Sequence, residues 1–382
     1  MCAQPSPVVR SSAARPSLFY NAGVKTWDVI IVGGGIIGLA LAIALRRRGA
    51  AILVVERGEP GREASHAAGG MLVDCPLETP SALQPLATAS AKMYPEFARE
   101  LEIESGMKVD LRDQGTILFP SLDPAIPISM TFAPLPPAWF DKDEPALVHQ
   151  QRPALYLRER SVDPRALVAA AWKTAKLRGV DFSSGDEVTE VNLSGRRACG
   201  VTTIKTNFHA AKVVNCAGAW SGQMKLNSGQ TTPPALPTRP VKGQMLCLLQ
   251  PTHELLRHVV RSHDAYLIPR SDGRLLVGAT VEEAGFDKRT DLATIQRLHQ
   301  AALALVPKLA DAKILESWAG LRPGTPDALP ILGETSTPGY YVATGHFRDG
   351  ILLAPITAEV MTAVIDGRNP EHDLTPFSPA RF

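Results

Sequence analysis

DVIIVGGGIIGLALAIALRRRGAAILVVE, residues Asp28–Glu56, decides the fold. Val29–Val32 is a short apolar, β-branched run and reads as a buried strand. Gly33-Gly34-Gly35-Ile36-Ile37-Gly38 follows at once and fits G-x-G-x-x-G. Leu39–Arg48 favours helix and stops at Gly49. Ala51–Val55 is a second buried strand, closed by Glu56. The stretch is one βαβ unit with an acid about 20 residues past the glycines, the pattern of a dinucleotide site. Gly33 permits the tight turn, Gly35 lets a pyrophosphate reach the backbone, and Gly38 lets the helix pack closely on the strand. The pyrophosphate then rests on N–H groups at the positive end of the helix. Glu56 accepts hydrogen bonds from a ribose diol and disfavours a 2′-phosphate. A membrane span is rejected: Val29–Leu45 is uncharged but only 17 residues long, and three glycines break it. A span needs roughly 20.

Outward from this unit, 382 residues can bury a large core and predict two domains. With 45% hydrophobic and 20% charged residues, the chain is an ordinary globular protein. A net charge of +2 excludes a bias toward polyanions, so no nucleic-acid partner is expected. Arg46-Arg47-Arg48 reads as a solvated helix end, where cations complement the helix dipole. Five widely spaced cysteines without a CxxC argue against disulfides, zinc and a dithiol redox pair. No metal is expected, and a reducing, cytoplasmic setting fits. Residues 1–25 carry three basic residues and no acid, and read as a disordered or targeting-like extension.

After Glu56 comes RGEPGREASHAAGGML, and the small residues Ala64–Gly70 let a large flat ligand lie against the backbone. Residues 81–105 read as helix and Lys108–Pro120 as strand material. The proline-rich Ser121–Pro153 reads as a loop excursion. Asp163 caps a helix with Pro164 in its first turn, and Gly179 stops it. Strands are predicted over Val180–Phe182, Glu187–Leu193, Gly200–Thr206 and Lys212–Asn215. Prolines in Gln230–Pro240 mark a crossing between domains. Gln244–Leu249, Ala265–Pro269 and Arg274–Ala279 are strand-like, and Thr290–Leu305 is an amphipathic helix. Trp318–Pro330 is left unassigned. Tyr340–Thr344 reads as a buried strand, Gly345–Gly350 as a turn, and about Leu352 to Ile365 as the last helix.

The predicted class is α/β and α+β. A Rossmann-like dinucleotide domain is built from residues 26–80, 161–222 and 325–367. A mainly antiparallel β-sheet substrate domain is built from 81–160 and 223–324, with 368–382 as a C-terminal tail. Only one G-x-G-x-x-G exists, so electrons come from a substrate rather than from a nicotinamide, and FAD fits better than NAD. The far end of so long a cofactor can be held by the last helix, whose N-terminus suits negative charge on the pyrimidine side of a reduced flavin.

VGGGIIG, HAAGGML, NCAGAWS, RPVKGQM, YLIPR, VGATVE, WAGLRPGTPDALPILG and ATGHFRDGILLAP occur in this order between Trp27 and Gly367. In this the chain resembles the glycine oxidases of the FAD-dependent D-amino-acid oxidase family. The resemblance implies non-covalent FAD and oxidative deamination of glycine, other small amines or D-amino acids. The products would be a 2-oxo acid, ammonia and hydrogen peroxide, with hydride passing to flavin N5 and molecular oxygen as acceptor. It implies Arg322 as the clamp on the substrate carboxylate, Tyr266 as a hydroxyl donor to it, and Arg348 beside the flavin. Bottom-up, a planar guanidinium binds a carboxylate bidentately. Cofactor contacts carry over to Ile36, Ile37, Glu56, Arg57, Ala64, Ser65, Gly69, Gly70, Met71 and Val188. His346, Phe347, Arg348, Asp349, Gly350, Ile351 and Leu352 would line the isoalloxazine. His346 itself reads as a structural histidine. The related sarcosine oxidases attach flavin through a cysteine whose counterpart here is Gly320, so no covalent link is expected. A homotetramer and a role in making the thiazole of thiamine are implied in the same way. The competing readings are a dehydrogenase using an acceptor other than oxygen, and a redox-inactive flavin-binding subunit.

Overall fold

The computed structural model describes residues 25–120, 134–148, 153–227 and 235–382. Thr26–Val32 pairs in parallel with Ile52–Glu56 on one side and Asn207–Asn215 on the other. Asp181–Ser184 extends the sheet past Ile52–Glu56, and Tyr340–Thr344 extends it past the C-terminal half of Asn207–Asn215, both in parallel. The continuous apolar run of the first strand is explained by burial on both faces. Val29 and Ile31 face a core shared with helices Ile36–Arg47, Gln84–Ser105, Pro164–Leu177 and Ala354–Ile365. Ile30 and Val32 face a second core with Val191 and Val201. Those residues belong to the antiparallel pair Val188–Ser194 and Arg197–Thr203, which runs on into Asn207–Asn215.

A second sheet of seven strands stands opposite, in the order Lys313–Gly324, Arg239–Leu249, Arg274–Gly278, Tyr266–Pro269, Val259–Arg261, Thr116–Leu118, Leu155–Leu157. It is antiparallel except where Val259–Arg261 meets Thr116–Leu118. Helix Leu292–Leu305 packs one face through Ile295 and Leu298. The other face carries Met245, Ile268 and Leu276, with Tyr266 and Trp318 at its margin. A small third sheet joins Met71–Leu72, Arg160–Val162 and Leu111–Arg112.

Local signals held where the chemistry is local. Asp163 Oδ1 accepts from Arg165 N at 2.9 Å and Ala166 N at 3.3 Å, capping Pro164–Leu177 as expected. Three expectations need correction. The crossing over Gln230–Pro240 ends earlier, because Arg239 and Pro240 already pair with Gly324 and Pro323. The unassigned Trp318–Pro330 begins inside the strand Lys313–Gly324. The loop excursion contains a helix, Pro137–Asp143, anchored by buried Phe140; its residues 121–133 and 149–152 lie outside the described residues, as do 1–24. The three arginines close the first helix at a solvated end, as expected: Arg46 donates to Arg178 O and Ala50 O, while exposed Arg47 and Arg48 pair at the surface with Glu100 and Asp366. Cys75, Cys199, Cys216 and Cys247 are free. Among the described residues no helix is long and apolar enough to cross a membrane, and no cluster of metal-ligating side chains occurs.

Candidate active site

A cavity of about 710 Å³ lies at the C-terminal ends of the parallel strands, roofed by the second sheet. At one end stands the glycine turn. Gly33 has φ +109°, and a side chain there would sit 2.4 Å from Cys216 O. A Cβ on Gly38 would lie 2.1 Å from Gly33 O, so only glycine lets the helix pack this closely. A Cβ on Gly35 would meet only Ser65 Oγ, at 3.3 Å, leaving its backbone open to the cavity. Ser65 Oγ also accepts from Ile36 N at 3.0 Å. The carboxylate of Glu56 accepts from Gly34 N at 2.7 Å and Gly58 N at 2.9 Å. It keeps lone pairs for further donors.

Around this end Arg57 pairs with Glu63 and lies 3.6 Å from the Trp220 ring, which stacks in turn on Phe286. Ile37, Val188, Ala64, Gly69, Gly70 and Met71 complete the wall. The Ala64–Gly70 stretch contains a one-turn helix, Ala64–Ala67. Its carbonyls are held from the other side: Trp318 Nε1 donates to Ala67 O at 3.1 Å, and Arg270 donates to Gly69 O.

At the far end His346, Phe347, Arg348, Asp349, Gly350 and Ile351 line the cavity. Gly38 and Leu352 do not; Leu352 is buried behind the wall, its carbonyl taking a hydrogen bond from Ser90. His346 Nε2 lies 3.1 Å from Thr357 Oγ1, and full burial pushes the imidazole down to about 3, so it stays neutral. Asp349 is driven the other way. Burial raises its carboxyl to about 6, with Glu78 adding to the rise and Arg348 opposing it.

Between the two ends, Arg322 and Tyr266 face each other from different strands of the second sheet. Arg322 Nη1 donates to Thr280 O at 3.0 Å and Lys242 O at 3.3 Å. Its guanidinium fills the space left by Gly243, where a Cβ would lie 2.4 Å from both terminal nitrogens. Burial lowers the pKa of this arginine and raises that of Tyr266. The Tyr266 hydroxyl lies 3.3 Å from Met245 Sδ. Among the described residues neither Arg322 nor Arg348 has a carboxylate partner.

The cavity thus offers an open glycine turn, a diol-binding carboxylate, an aromatic flank, and a second backbone turn at the start of the last helix. Those walls fit FAD. The FAD-dependent oxidoreductase family profile matches residues 28–364. The chain belongs to this family of FAD-dependent oxidoreductases, and FAD is its cofactor. It is 32% identical to the hydrogen cyanide synthase subunit HcnC of Pseudomonas aeruginosa, over 94% of this chain and 97% of that one. It is 35% identical to the bifunctional protein ThiO/ThiG of Trichormus variabilis, over 94% of this chain. There it spans only about half (55%) of the relative's length. Among solved structures, glycine oxidase from Geobacillus kaustophilus superposes with a TM-score of 0.86 at 32% identity, covering 94% of this chain and all of that one.

Every residue expected in the site except Gly38 and Leu352 lies in one wall or another of this single cavity. Sequence reasoning missed Gly243, Met245, Trp220 and Trp318. A glycine inside a strand was the available signal for the first. The other three act across at least 20 intervening residues and leave no local pattern.

Proposed function

We propose that this protein oxidatively deaminates glycine, other small amines or small D-amino acids, with Arg322 holding the substrate carboxylate. The carrying observation is a buried guanidinium with no carboxylate partner, already oriented by two carbonyls, in the cavity that carries the FAD walls. A buried cation in that state calls for an anionic ligand. Tyr266, kept neutral by burial, stands as hydroxyl donor beside it. FAD, when bound, supplies the hydride acceptor. The chain's own task is then orientation: fixing the α-carbon, excluding water and keeping the carboxylate neutralised. Oxygen as acceptor, giving hydrogen peroxide, a 2-oxo acid and ammonia, completes the reading. Non-covalent FAD is supported by Gly320 in the wall. It is supported too by Cys216, the one cysteine among the described lining residues, whose thiol burial pushes up to about 12. The similarity to ThiO/ThiG and glycine oxidase supports a role in thiamine thiazole synthesis. A homotetramer, a cytoplasmic setting and the two-domain division at the boundaries given above belong to the same proposal.

The test is a panel of glycine, sarcosine and small D-amino acids, scored for anaerobic bleaching of the flavin and for peroxide released in air. Bleaching with stoichiometric peroxide supports the reading. The alternatives are a dehydrogenase passing electrons to an acceptor other than oxygen and, favoured by the name of the relative HcnC, a synthase subunit, a chain that serves a larger complex. Bleaching without peroxide selects the first of these, and no bleaching by any substrate selects a redox-inactive subunit.

A further inference from the structure

We propose that Glu282, which lies outside the cavity wall, is the positioning residue of the clamp: it joins the two carbonyls on which the Arg322 guanidinium rests. The inference rests on the reading above that Arg322 holds the substrate carboxylate. Those carbonyls, Lys242 O and Thr280 O, come from different stretches of chain. Lys242 stands inside the strand Arg239–Leu249, where the ladder sets it opposite Leu321. Thr280 lies past the end of Arg274–Gly278, and the pairing of that strand with Arg239–Leu249 stops at Gly278 opposite Met245. The ladder therefore fixes one carbonyl and not the other. Something else must hold Thr280 beside Lys242.

Glu282 does so through both backbone and side chain. Its N–H donates to Lys242 O at 2.9 Å, and its own carbonyl accepts from Lys242 N at 2.9 Å. Its Oε1 accepts from the Thr280 hydroxyl and, at 2.9 Å, from Gln244 Nε2. Its Oε2 lies 3.9 Å from Nζ of buried Lys242. The Thr280 hydroxyl in turn accepts from Gln244 N at 2.9 Å. Gln244 Oε1 accepts from Asp291 N at 2.8 Å, and Asp291 caps the helix Leu292–Leu305. One carboxylate thus touches the residue that owns each carbonyl and anchors both to a helix. A guanidinium grips a carboxylate with two parallel bonds only when its plane is fixed beforehand. The charge of Glu282 also reaches Arg322, but charge alone would act with the opposite sign. A negative group behind the clamp repels an incoming carboxylate, so its removal would tighten binding. Removal of an anchor loosens it.

The experiment titrates the FAD-bound protein with acetate, a carboxylate without an amine, and reads the flavin absorption spectrum. Glu282→Ala should bind acetate about 10- to 100-fold more weakly, because a shift of about 1 Å in a binding group can cost 10²-fold. The KM of the best amino-acid substrate should rise in step while kcat stays within about 3-fold, the pattern of lost uniform binding. Thr280→Val keeps the shape and removes only the hydroxyl link, and should weaken acetate at least about 5-fold; Thr280→Ser should recover most of that loss. FAD affinity should hold in all three, since none of these side chains lines the cavity. If Glu282→Ala does not fold, the Thr280 pair decides alone. Acetate binding that is unchanged or tighter in the variants overturns the proposal. So does a loss of FAD that matches the loss of acetate, which would make Glu282 a brace for the whole fold. Wild type that ignores acetate, or Arg322→Met that binds it equally well, defeats the clamp reading and this inference with it.

Discussion

Arg322→Met separates the two things a buried cation can do. In the ligand-free protein the guanidinium has two carbonyl partners and no counter-charge, and burial already lowers its pKa. Methionine keeps the unbranched stem and removes the guanidinium and its charge. Deleting one partner of a buried charge pair costs about 2–5 kcal/mol of binding. At 1.4 kcal/mol per tenfold, kcat/KM should fall between about 30-fold and about 4,000-fold. Folding should move the other way or not at all, because an uncompensated charge has left a low-dielectric site. A thermal midpoint within about 2 °C of wild type, or above it, is therefore expected. Arg322→Lys should fall between, since a point charge cannot reproduce the two-pronged contact. The assay is steady-state oxidation of the best substrate beside differential scanning calorimetry of the FAD-bound protein. An Arg322→Met variant with unchanged KM and a midpoint several degrees lower would refute the reasoning. Arg322 would then be a structural residue bracing the pair Arg239–Leu249 and Lys313–Gly324.

Gly243→Ala should raise KM at least tenfold with little loss of FAD, because the new methyl would sit 2.4 Å from both terminal nitrogens of Arg322 and push the guanidinium off its carbonyls; titration of a carboxylate inhibitor against the flavin spectrum measures this. Glu56→Gln should weaken FAD by roughly 10- to 100-fold, read by flavin fluorescence. The amide can accept from only one of Gly34 N and Gly58 N, leaving a buried donor unmatched at a cost of about 1–3 kcal/mol. His346→Gln tests the acid limb of stability. The folded imidazole titrates at about 3 against 6.5 when exposed. The unfolded chain therefore binds the extra proton, and stability is lost as pH falls below 6.5. Between pH 7 and 5, wild type should lose roughly 2 kcal/mol more than the variant in equilibrium urea unfolding. Equal losses would mean His346 is protonated in the folded state.

What could be read before any coordinates followed from how far each determinant reaches along the chain. The strand, glycine turn, helix, strand and acid of Asp28–Glu56 lie within one βαβ unit, and each part of its chemistry is local. The same holds for Asp163, whose carboxylate caps the two amides that follow it. Tyr340–Thr344 could be read because all five residues are buried and apolar or small. The second sheet was harder. Arg322 pairs with Val241, 81 residues earlier, and the register of that long ladder is set by cross-strand packing. Its prolines, Pro240 and Pro323, lie opposite each other near the ladder's end and read locally as loop. Trp220 meets Arg57 across the fold, and Trp318 reaches Ala67 O from 251 residues away. Such contacts leave no period in the sequence.

The distribution of unmatched charge marks the site more sharply than the cavity's size does. Several buried ions elsewhere in the fold are paired: Glu159 with Arg261, Asp163 with Arg274, and Glu144 with His258. In the cavity wall Arg322 and Asp349 are not. Leaving two such charges without partners lowers stability, and a ligand that completes them repays the cost. Arg270 is an instructive case outside the cavity. It is buried, two of its nitrogens lack partners, and burial lowers it to about 10. Its third nitrogen holds Gly69 O, and Gly69 lies against Tyr266. The strain borne by Arg270 therefore fixes the distance between the flavin-facing loop and the hydroxyl beside the substrate clamp. A substitution such as Arg270→Lys, which keeps charge but shortens reach, should loosen that distance and lower kcat before it lowers FAD affinity. Should FAD affinity fall first, Arg270 serves the loop's own folding and not the spacing of the site.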